Sequence, residues 1–512
     1  MSGAPNRPGR DDDRRDTRGR QRGAARARGD QSRTAVAPSQ RRRGTDPART
    51  AAFDVLREVD GSDAYANLVL PPLLRERRIV GRDAAFATEL AYGTLRLRGR
   101  YDAILALCVD RPLDRIDPPL LDVLRLGVHQ VLGMRVPQHA AVSETVGLAR
   151  DRVGTGPAQM VNAVLRKVAR TPLADWLEEL RADAPDAVTA SAVVGSHPVW
   201  IARALREALA GDGRDPAELD ALLEADNAAP RVTLVARPGL VGADEVRAEA
   251  PEGVRLEPGR WLPTALVLGG QDPIGVPAVA DGRAGVQDEG SQAVTLALAA
   301  APLEGRDARW LDLCAGPGGK AALLAALAAQ RGATLVANEV APHRARLVER
   351  ALRAVPDGVV ERVRTGDGRE MGEQEPGAYD RVLVDAPCTG LGALRRRPES
   401  RWRRTPADVS VLTGLQRQLL ASALDAVRVG GVVAYVTCSP HLAETRVVVD
   451  DVLRRRTVDG AAGAERLDAP AALRAVVVPG ADIPLGERAD AQLWPHVHGT
   501  DAMHLTLLRR LR

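Results

Sequence analysis

The chain of 512 residues contains only four cysteines, at positions 108, 314, 388 and 438. No two of them have CxxC spacing, so the sequence predicts neither a disulfide scaffold nor a structural zinc site, and we expect no metal. Aromatic residues make up 3% of the chain, which argues against nucleic-acid binding mainly by base stacking. No apolar run is long enough for a membrane span or a signal core. We therefore expect a cytoplasmic protein that does not bind a membrane.

Lysine is almost absent, since only Lys167 and Lys320 occur among 71 basic residues. The net charge of +4 is unevenly distributed: residues 1–44 contain 13 Arg and 5 Asp, a net of +8, which leaves −4 for the remainder. We predict that residues 1–45 form a disordered Arg-rich tail, because so few apolar residues cannot offset the entropy lost on ordering. Two interpretations stay open for this tail, binding to a polyanion and a solubilising extension.

The remaining chain has a multidomain pattern. Apolar residues at helical spacing predict an all-α domain over 46–172. Residues 173–195, rich in Ala, Asp and Pro, predict a linker, and residues 196–280 predict a small α/β subdomain. Over 281–512, short apolar strands alternate with Ala- and Leu-rich helices, which predicts a parallel sheet wound on both faces. Such sheets bind ligands at the carboxyl ends of their strands.

A Gly-rich turn joins one predicted strand to a helix and reads Cys314-Ala315-Gly316-Pro317-Gly318-Gly319-Lys320. Glycines permit close backbone approach to a ligand, and the helix N-terminus offers free N–H groups. A Walker phosphate loop does not fit, because Cys314 replaces the first glycine and Ala321 follows the lysine. A dinucleotide fingerprint fits loosely. A nucleoside cofactor such as S-adenosylmethionine fits if Glu339, which ends the next strand, binds the ribose hydroxyls. A purely structural turn is the remaining alternative.

Three further motifs follow apolar strands. Asp367, in Thr365-Gly-Asp-Gly368, could accept a hydrogen bond from an adenine amino group or simply form a turn. Asp385 and Cys388 end one strand, and Cys438 ends another. A buried cysteine is usually inert, but a thiol at a polar strand end can become a nucleophile when its pKa falls.

Residues 395–404 contain six arginines and one glutamate. This segment directly follows the Cys388 motif. A solvated charge run is one interpretation, and a clamp for a phosphate backbone is the one that we favour.

Taken together, these motifs resemble those of a known protein family. Residues 281–455 resemble the RNA cytosine carbon-5 methyltransferases, and residues 46–512 resemble the bacterial ribosomal RNA small subunit methyltransferase B type. The matching segments are Val286–Gln292, Cys314–Lys320, Glu339, Gly366–Gly368, Asp385–Cys388 and Thr437–Ser439. The helical region, with segments Ala91–Leu95, Leu126–Gln130 and Val161–Leu165, resembles a NusB-like RNA-binding domain.

The resemblance implies an all-α NusB-like domain followed by an α/β Rossmann-like methyltransferase domain that uses S-adenosyl-L-methionine. It implies Cys438 as the nucleophile that attacks cytosine, Cys388 as an aid to release, and Asp385 as a partner of the base or the cofactor. Residues 314–320, Glu339, Asp367 and Asp385 would hold the cofactor. The implied partner is RNA, in the first place 16S ribosomal RNA, and we expect a monomer. Another RNA such as tRNA, and a non-catalytic RNA-binding protein, are the alternatives.

Overall fold

The computed structural model describes residues 46–62, 64–270, 272–457 and 459–512, so the predicted tail lies outside the described residues. Residues Pro47–Arg512 form one compact unit. Within the described ranges, no helix is long and apolar enough to cross a membrane. The same ranges contain no cluster of three or more His, Cys, Asp or Glu side chains that could hold a metal ion.

The first part of this unit is all helical. Its helices are α1 (Pro47–Ser62), α2 (Ala66–Glu76), α3 (Gly81–Arg96), α4 (Arg98–Cys108), α5 (Pro118–Val128), α6 (Gln138–Arg152) and α7 (Thr155–Ala169). They enclose a core of fully buried aliphatic side chains such as Val55, Leu90 and Leu124. Apolar spacing predicts one helical stretch over about 83–109, and this prediction is wrong, because Leu97 leaves helical geometry and separates α3 from α4.

The prediction of a linker over 173–195 is also wrong. These residues form helices α8 (Leu173–Ala182) and α9 (Ala187–Val194). Trp176 and Leu180 are buried in the core of the helical domain. Asp186 caps α9 by accepting a hydrogen bond from Thr189 N at 2.8 Å. The Asp and Pro residues that suggested a linker therefore lie at helix ends, where capping favours them.

Four further helices and a small sheet come next. The helices are α10 (Val199–Gly211), α11 (Leu219–Asn227), α12 (Ala243–Ala248) and α13 (Pro277–Asp281); the strands are β1 (Val232–Ala236), β2 (Leu256–Pro258), β3 (Ala265–Leu268) and β4 (Ala284–Val286). The strands pair in the order β2-β3-β1-β4, and each pair is antiparallel.

The last part is built on a larger sheet. Its strands are β5 (Arg309–Asp312), β6 (Thr334–Glu339), β7 (Val360–Thr365), β8 (Tyr379–Asp385), β9 (Val427–Thr437), β10 (Ala464–Leu467), β11 (Ala491–Gln492) and β12 (His504–Arg510). The order is β10-β12-β9-β8-β5-β6-β7, with β11 paired to β12. Strands β9, β8, β5, β6 and β7 are parallel, whereas β12 is antiparallel to β9. The predicted parallel sheet is therefore correct for five strands, and the complete sheet is mixed.

Helices cover both faces of this sheet. The helices of this part of the chain are α14 (Glu289–Ala300), α15 (Gly319–Gln330), α16 (Pro342–Leu352), α17 (Met371–Gln374), α18 (Ser400–Arg403), α19 (Pro406–Ala426), α20 (Arg446–Arg455), α21 (Ala469–Arg474) and α22 (Pro495–His498). Successive strand residues alternate between the faces, so that Trp310 packs with α14 and α15 while Leu311 packs with α19 and α20. Because the five central strands are parallel, their carboxyl ends meet at one edge, where the predicted site residues follow them.

Candidate active site

The Gly-rich loop after β5 needs glycine at two positions. A Cβ atom on Gly316 would lie 2.1 Å from Glu339 Oε2, and one on Gly318 would lie 2.6 Å from Ala351 Cβ on α16. Gly318 also has a φ of 109°, which side chains disfavour. The loop is therefore held close to β6 and α16, with the N-terminus of α15 directly behind it.

Glu339 fixes this loop from the end of β6. Its Oε2 accepts a hydrogen bond from Gly316 N at 3.0 Å, and its Oε1 accepts one from Ala341 N at 3.0 Å. Arg344 donates to Gly316 O at 2.5 Å and lies 3.5 Å from Glu339 Oε2. Val340, the next residue, is 63% exposed. A carboxylate and an apolar side chain thus lie together beside the loop.

Asp312, the last residue of β5, was not among the residues predicted for the site. Its side chain is completely buried, and within the described ranges neither of its carboxyl oxygens has a hydrogen-bond partner of good geometry. Burial and the nearby charge of Asp385 raise its pKa to about 8. An unpaired buried acid two residues before the Gly-rich loop is a group that a cationic ligand could satisfy. The sequence signal was an acidic residue at the end of the strand that enters the loop.

Lys320 and Asp385 form an ion pair across the sheet edge. Lys320 Nζ lies 2.8 Å from Asp385 Oδ2. Burial alone would lower the pKa of Lys320, but the charge of Asp385 and their hydrogen bond raise it above its usual value. One of the two lysines of the chain is therefore protonated inside the predicted site.

The two predicted catalytic cysteines are in contact. Cys388, after β8, and Cys438, after β9, have their Sγ atoms 3.3 Å apart. The hydrogen bond from Cys388 lowers the pKa of Cys438, and Lys320 acts in the same direction against the effect of burial. The same hydrogen bond, together with burial, raises the pKa of Cys388. Cys388 therefore keeps its proton and donates, and Cys438 is the thiol that ionises more easily.

The remaining predicted residues have different environments. Burial and the charge of Asp312 raise the pKa of Cys314 well above its usual value, so this thiol is not an activated one. Asp367 follows β7, caps the turn at Gly368–Glu370 and pairs with Arg369, whose hydrogen bond lowers the pKa of Asp367. Asp367 thus has partners of its own and no contact with the loop at 314–320 among its hydrogen bonds.

Comparison with known proteins agrees with this architecture. A family model described as 16S rRNA methyltransferase RsmB/F matches residues 297–509, and one described as the NusB family matches residues 46–170. A protein of Mycobacterium tuberculosis that is named as a methyltransferase is 52% identical, over 92% of this chain and 98% of its own length. Ribosomal RNA small subunit methyltransferase B of Xanthomonas campestris is 34% identical, over 73% of this chain and 80% of its own. The chain belongs to the ribosomal RNA small subunit methyltransferase B family.

The similarity in fold extends over nearly the whole molecule. A crystal structure of the protein PH0851 superposes with a TM-score of 0.72 at 20% identity, over 91% of this chain and 99% of the other. The predicted order of an all-α NusB-like domain and an α/β methyltransferase domain is confirmed.

Glu444, which the sequence analysis missed, holds both cysteine loops of this methyltransferase. Its completely buried carboxylate accepts hydrogen bonds from Thr389 N at 2.7 Å and from Ser439 Oγ at 2.6 Å. Thr389 follows Cys388, and Ser439 follows Cys438. Gln416 of α19 supports the loop that contains Cys388 by donating to Pro387 O at 2.8 Å. A single carboxylate therefore fixes the position of one thiol relative to the other.

The Arg-rich segment 395–404 is not the predicted phosphate clamp, because most of its guanidinium groups already have partners inside the protein. Arg395 and Arg396 both pair with Asp288 and Asp501. Arg401 is completely buried and donates to Arg96 O, Ser196 O and Asp226 O, at 2.8, 3.1 and 2.8 Å.

The rest of the segment also contacts the helical domain. Arg403 donates to Val59 O and Ala64 O, each at 2.7 Å. Arg397 and Arg403 both lie over the ring of Tyr65, at 5.1 and 5.3 Å from its centroid. The segment therefore connects the helical domain to the catalytic domain.

Proposed function

We propose that this chain transfers a methyl group from S-adenosyl-L-methionine to carbon 5 of a cytosine in 16S ribosomal RNA, through a covalent bond between Cys438 and the base. The observation that carries the proposal is the contact between Cys388 and Cys438, 3.3 Å apart. A single nucleophilic thiol is compatible with many reactions. One ionisable thiol beside one protonated thiol provides the groups for both addition to the base and release from it.

The residues around the Gly-rich loop fit the cofactor. Gly316 and Gly318 leave room for close approach, since a Cβ atom at either position would meet Glu339 or Ala351. Asp312 supplies a buried acid whose oxygens have no hydrogen bond of good geometry among the described residues, and Glu339 supplies a carboxylate for ribose hydroxyls. Val340 offers an exposed apolar side chain for an adenine ring, with Asp367 as a further polar group. When bound, S-adenosyl-L-methionine supplies an electrophilic methyl group.

Cys438 would start the reaction. Carbon 5 of cytosine is a poor nucleophile, and addition of a thiolate to carbon 6 converts it into the nucleophilic carbon of an enamine. The lowered pKa of Cys438 favours the thiolate. Asp385, fixed by Lys320 at 2.8 Å, would hydrogen-bond the ring and favour its protonated form during attack.

Cys388 would assist the end of the reaction. After methyl transfer, carbon 5 carries both the methyl group and a proton, and this proton must leave. Its bonding electrons then re-form the carbon 5–carbon 6 double bond as the Cys438 sulfur departs as a thiolate. Cys388 lies close enough to Cys438 to give its own proton to the departing sulfur, and the Cys388 sulfur then accepts the proton from carbon 5.

RNA is the proposed substrate, with the helical domain over 46–172 as an RNA-binding module. Membership of the methyltransferase B family supports ribosomal RNA in particular, and the match to the NusB family supports the role of the helical domain. The target cytosine would have to leave its stack to reach the thiols at the sheet edge. The Arg-rich tail at 1–45 would add electrostatic attraction to RNA.

Bisulfite sequencing of ribosomal RNA from a strain that lacks this chain tests the target. We expect one cytosine of 16S ribosomal RNA to lose its methyl group and to regain it when the intact chain is supplied. Loss of a methyl group from tRNA instead would favour the alternative RNA target. An unchanged pattern in all RNA, together with no binding of S-adenosyl-L-methionine in calorimetry, would favour a non-catalytic RNA-binding protein.

Three cysteine variants test the covalent route. Cys438→Ala should lower methyl transfer by more than about 10³-fold, as expected for loss of a nucleophile. Cys388→Ala should accumulate a protein–RNA adduct that survives denaturing electrophoresis. Cys108→Ala, which changes a thiol on α4 in the helical domain, is the matched control and should behave like the unchanged protein. Full activity of Cys438→Ala would contradict the assigned nucleophile.

A further inference from the structure

The helical domain has a basic groove between α6 and α7. The groove has a volume of about 450 Å³ and is lined by Arg150, Arg166 and Arg170, with His139 and Asn162 beside them. No carboxylate of the described part of the chain lines it. The three guanidinium groups therefore face one open space without a negative charge among its walls.

These three arginines differ from most others of the domain. Arg57, Arg98, Arg125 and Arg152 pair with the carboxylates of Asp122, Asp60, Asp102 and Asp54, respectively. Among the described residues, Arg150, Arg166 and Arg170 have no hydrogen bond and no ion pair through their guanidinium groups. All three are exposed. Their donors are thus free to bind an external anion.

A helix dipole explains only part of this arrangement. Cationic side chains near a helix C-terminus are favourable, and Arg150 and Arg166 lie in the last turns of α6 and α7. However, these helices follow one another with only Val153 and Gly154 between them, so their C-terminal ends point in opposite directions. Along α6 the groove runs from His139 to Arg150, about 16 Å at 1.5 Å per residue. The helix dipoles alone would favour cations at two separate ends of the helix pair. The groove instead extends continuously from one of these ends to the other.

We propose that this groove binds the phosphate backbone of the RNA substrate. Arginine suits this task because its planar guanidinium can donate two parallel hydrogen bonds to a phosphate. Asn162 and Gln138, which also line the groove, can donate to phosphate or sugar oxygens. Such contacts hold an RNA strand in register without reading its sequence. The assignment rests on the proposed function only in taking RNA as the substrate.

The test compares two triple variants of the full chain with equal loss of charge. The groove variant carries Arg150→Gln, Arg166→Gln and Arg170→Gln. The control variant carries Arg78→Gln, Arg82→Gln and Arg115→Gln, three exposed arginines of the same domain that lie outside the groove. Binding to a 16S ribosomal RNA transcript is measured by fluorescence anisotropy over a range of salt concentrations.

We expect the slope of log affinity against log salt to become shallower by about 2–3 for the groove variant, since each lost phosphate contact removes about 0.7–0.9. The control variant should keep the slope of the unchanged protein, and a triple Arg→Lys groove variant should retain most of it. Equal slopes for all proteins, or equal losses in groove and control variants, would overturn the proposal. If the triple variant does not fold, the single Arg166→Gln variant should still lower the slope by about 0.7–0.9.

Because this experiment measures binding and not methyl transfer, its result is independent of the cytosine assignment. If the groove variant has a shallower salt slope but the deletion strain shows no bisulfite difference, the groove proposal holds and the proposed reaction is rejected. If the deletion strain shows a clear bisulfite difference but the salt slopes are unchanged, the proposed reaction holds and the groove proposal is rejected.

Discussion

The Sγ atoms of Cys388 and Cys438 lie 3.3 Å apart although 50 positions separate the two residues in the sequence. The contact arises because β8 and β9 are neighbouring parallel strands, so that the loops after them leave the sheet side by side. It makes the two thiols unequal, since the hydrogen bond that lowers the pKa of Cys438 raises that of Cys388. The division of roles between the thiols follows from this asymmetry.

Removal of Cys388 should make Cys438 less reactive. In Cys388→Ala the thiolate of Cys438 loses its hydrogen-bond donor, so its pKa should rise and its alkylation near neutral pH should slow by up to about tenfold for each unit of that rise. Alkylation by iodoacetamide over pH 6–9, followed by mass spectrometry of the Cys438 peptide, gives this pKa. An unaltered profile would show that the contact with Cys388 does not tune Cys438, and Cys108→Ala provides the control.

Glu444 should control both activity and stability. In Glu444→Gln the charged acceptor shared by the Cys388 and Cys438 loops is lost, so we expect the free energy of unfolding to fall by about 1–3 kcal/mol. Because the relative position of the thiols changes, kcat should fall by about tenfold or more while the affinity for S-adenosyl-L-methionine stays constant. Glu373→Gln, at an exposed position, is the control. A loss of stability with unchanged kcat would contradict the positioning role.

Asp312 should link cofactor binding to pH. In the free protein its pKa is about 8, so it is mostly protonated at pH 7. A cationic ligand favours the ionised form, so binding should release a proton, and affinity should rise with pH until it levels off above about 8. The rise is at most about tenfold per pH unit, the limit for one proton.

Calorimetry with S-adenosyl-L-methionine between pH 6 and 8.5 measures this link, in buffers of different ionisation enthalpy. Titration of the ligand's own amino group contributes equally to every variant. Asp312→Asn should therefore bind with less proton release than the unchanged protein. Equal proton release by the two proteins would remove Asp312 from the cofactor site.

The sequence predicted the parts of the fold that depend on local pattern. The strands and helices around Cys314–Lys320, Glu339 and Cys438 lie where their apolar periodicity indicated, because each buried strand packs between two helical layers. The antiparallel strand β12 was not predicted, since its pairing with β9 depends on contacts distant in sequence.

Charge patterns were less informative than apolar patterns. Six arginines in residues 395–404 suggested an external anion, but four of them pair with backbone carbonyls or carboxylates, from elements as distant as Arg96 and Asp501. No local rule shows that such acceptors will meet an arginine. In contrast, the three arginines of the groove, which have no partner among the described residues, are dispersed in the sequence and form a cluster only in the folded domain.

Arg401 should prove essential for the junction between the helical and catalytic domains. Its guanidinium is completely buried and donates to the carbonyl oxygens of Arg96 and Asp226, which belong to separate parts of the chain. Arg401→Met keeps an unbranched side chain but leaves these acceptors unpaired, so the free energy of unfolding should fall by about 3 kcal/mol or more. Arg404→Met, three residues later and only partly buried, should change it by less than about 0.5 kcal/mol. Denaturant titration compares the two variants, and equal stabilities would show that the buried contacts of Arg401 do not hold the domains together.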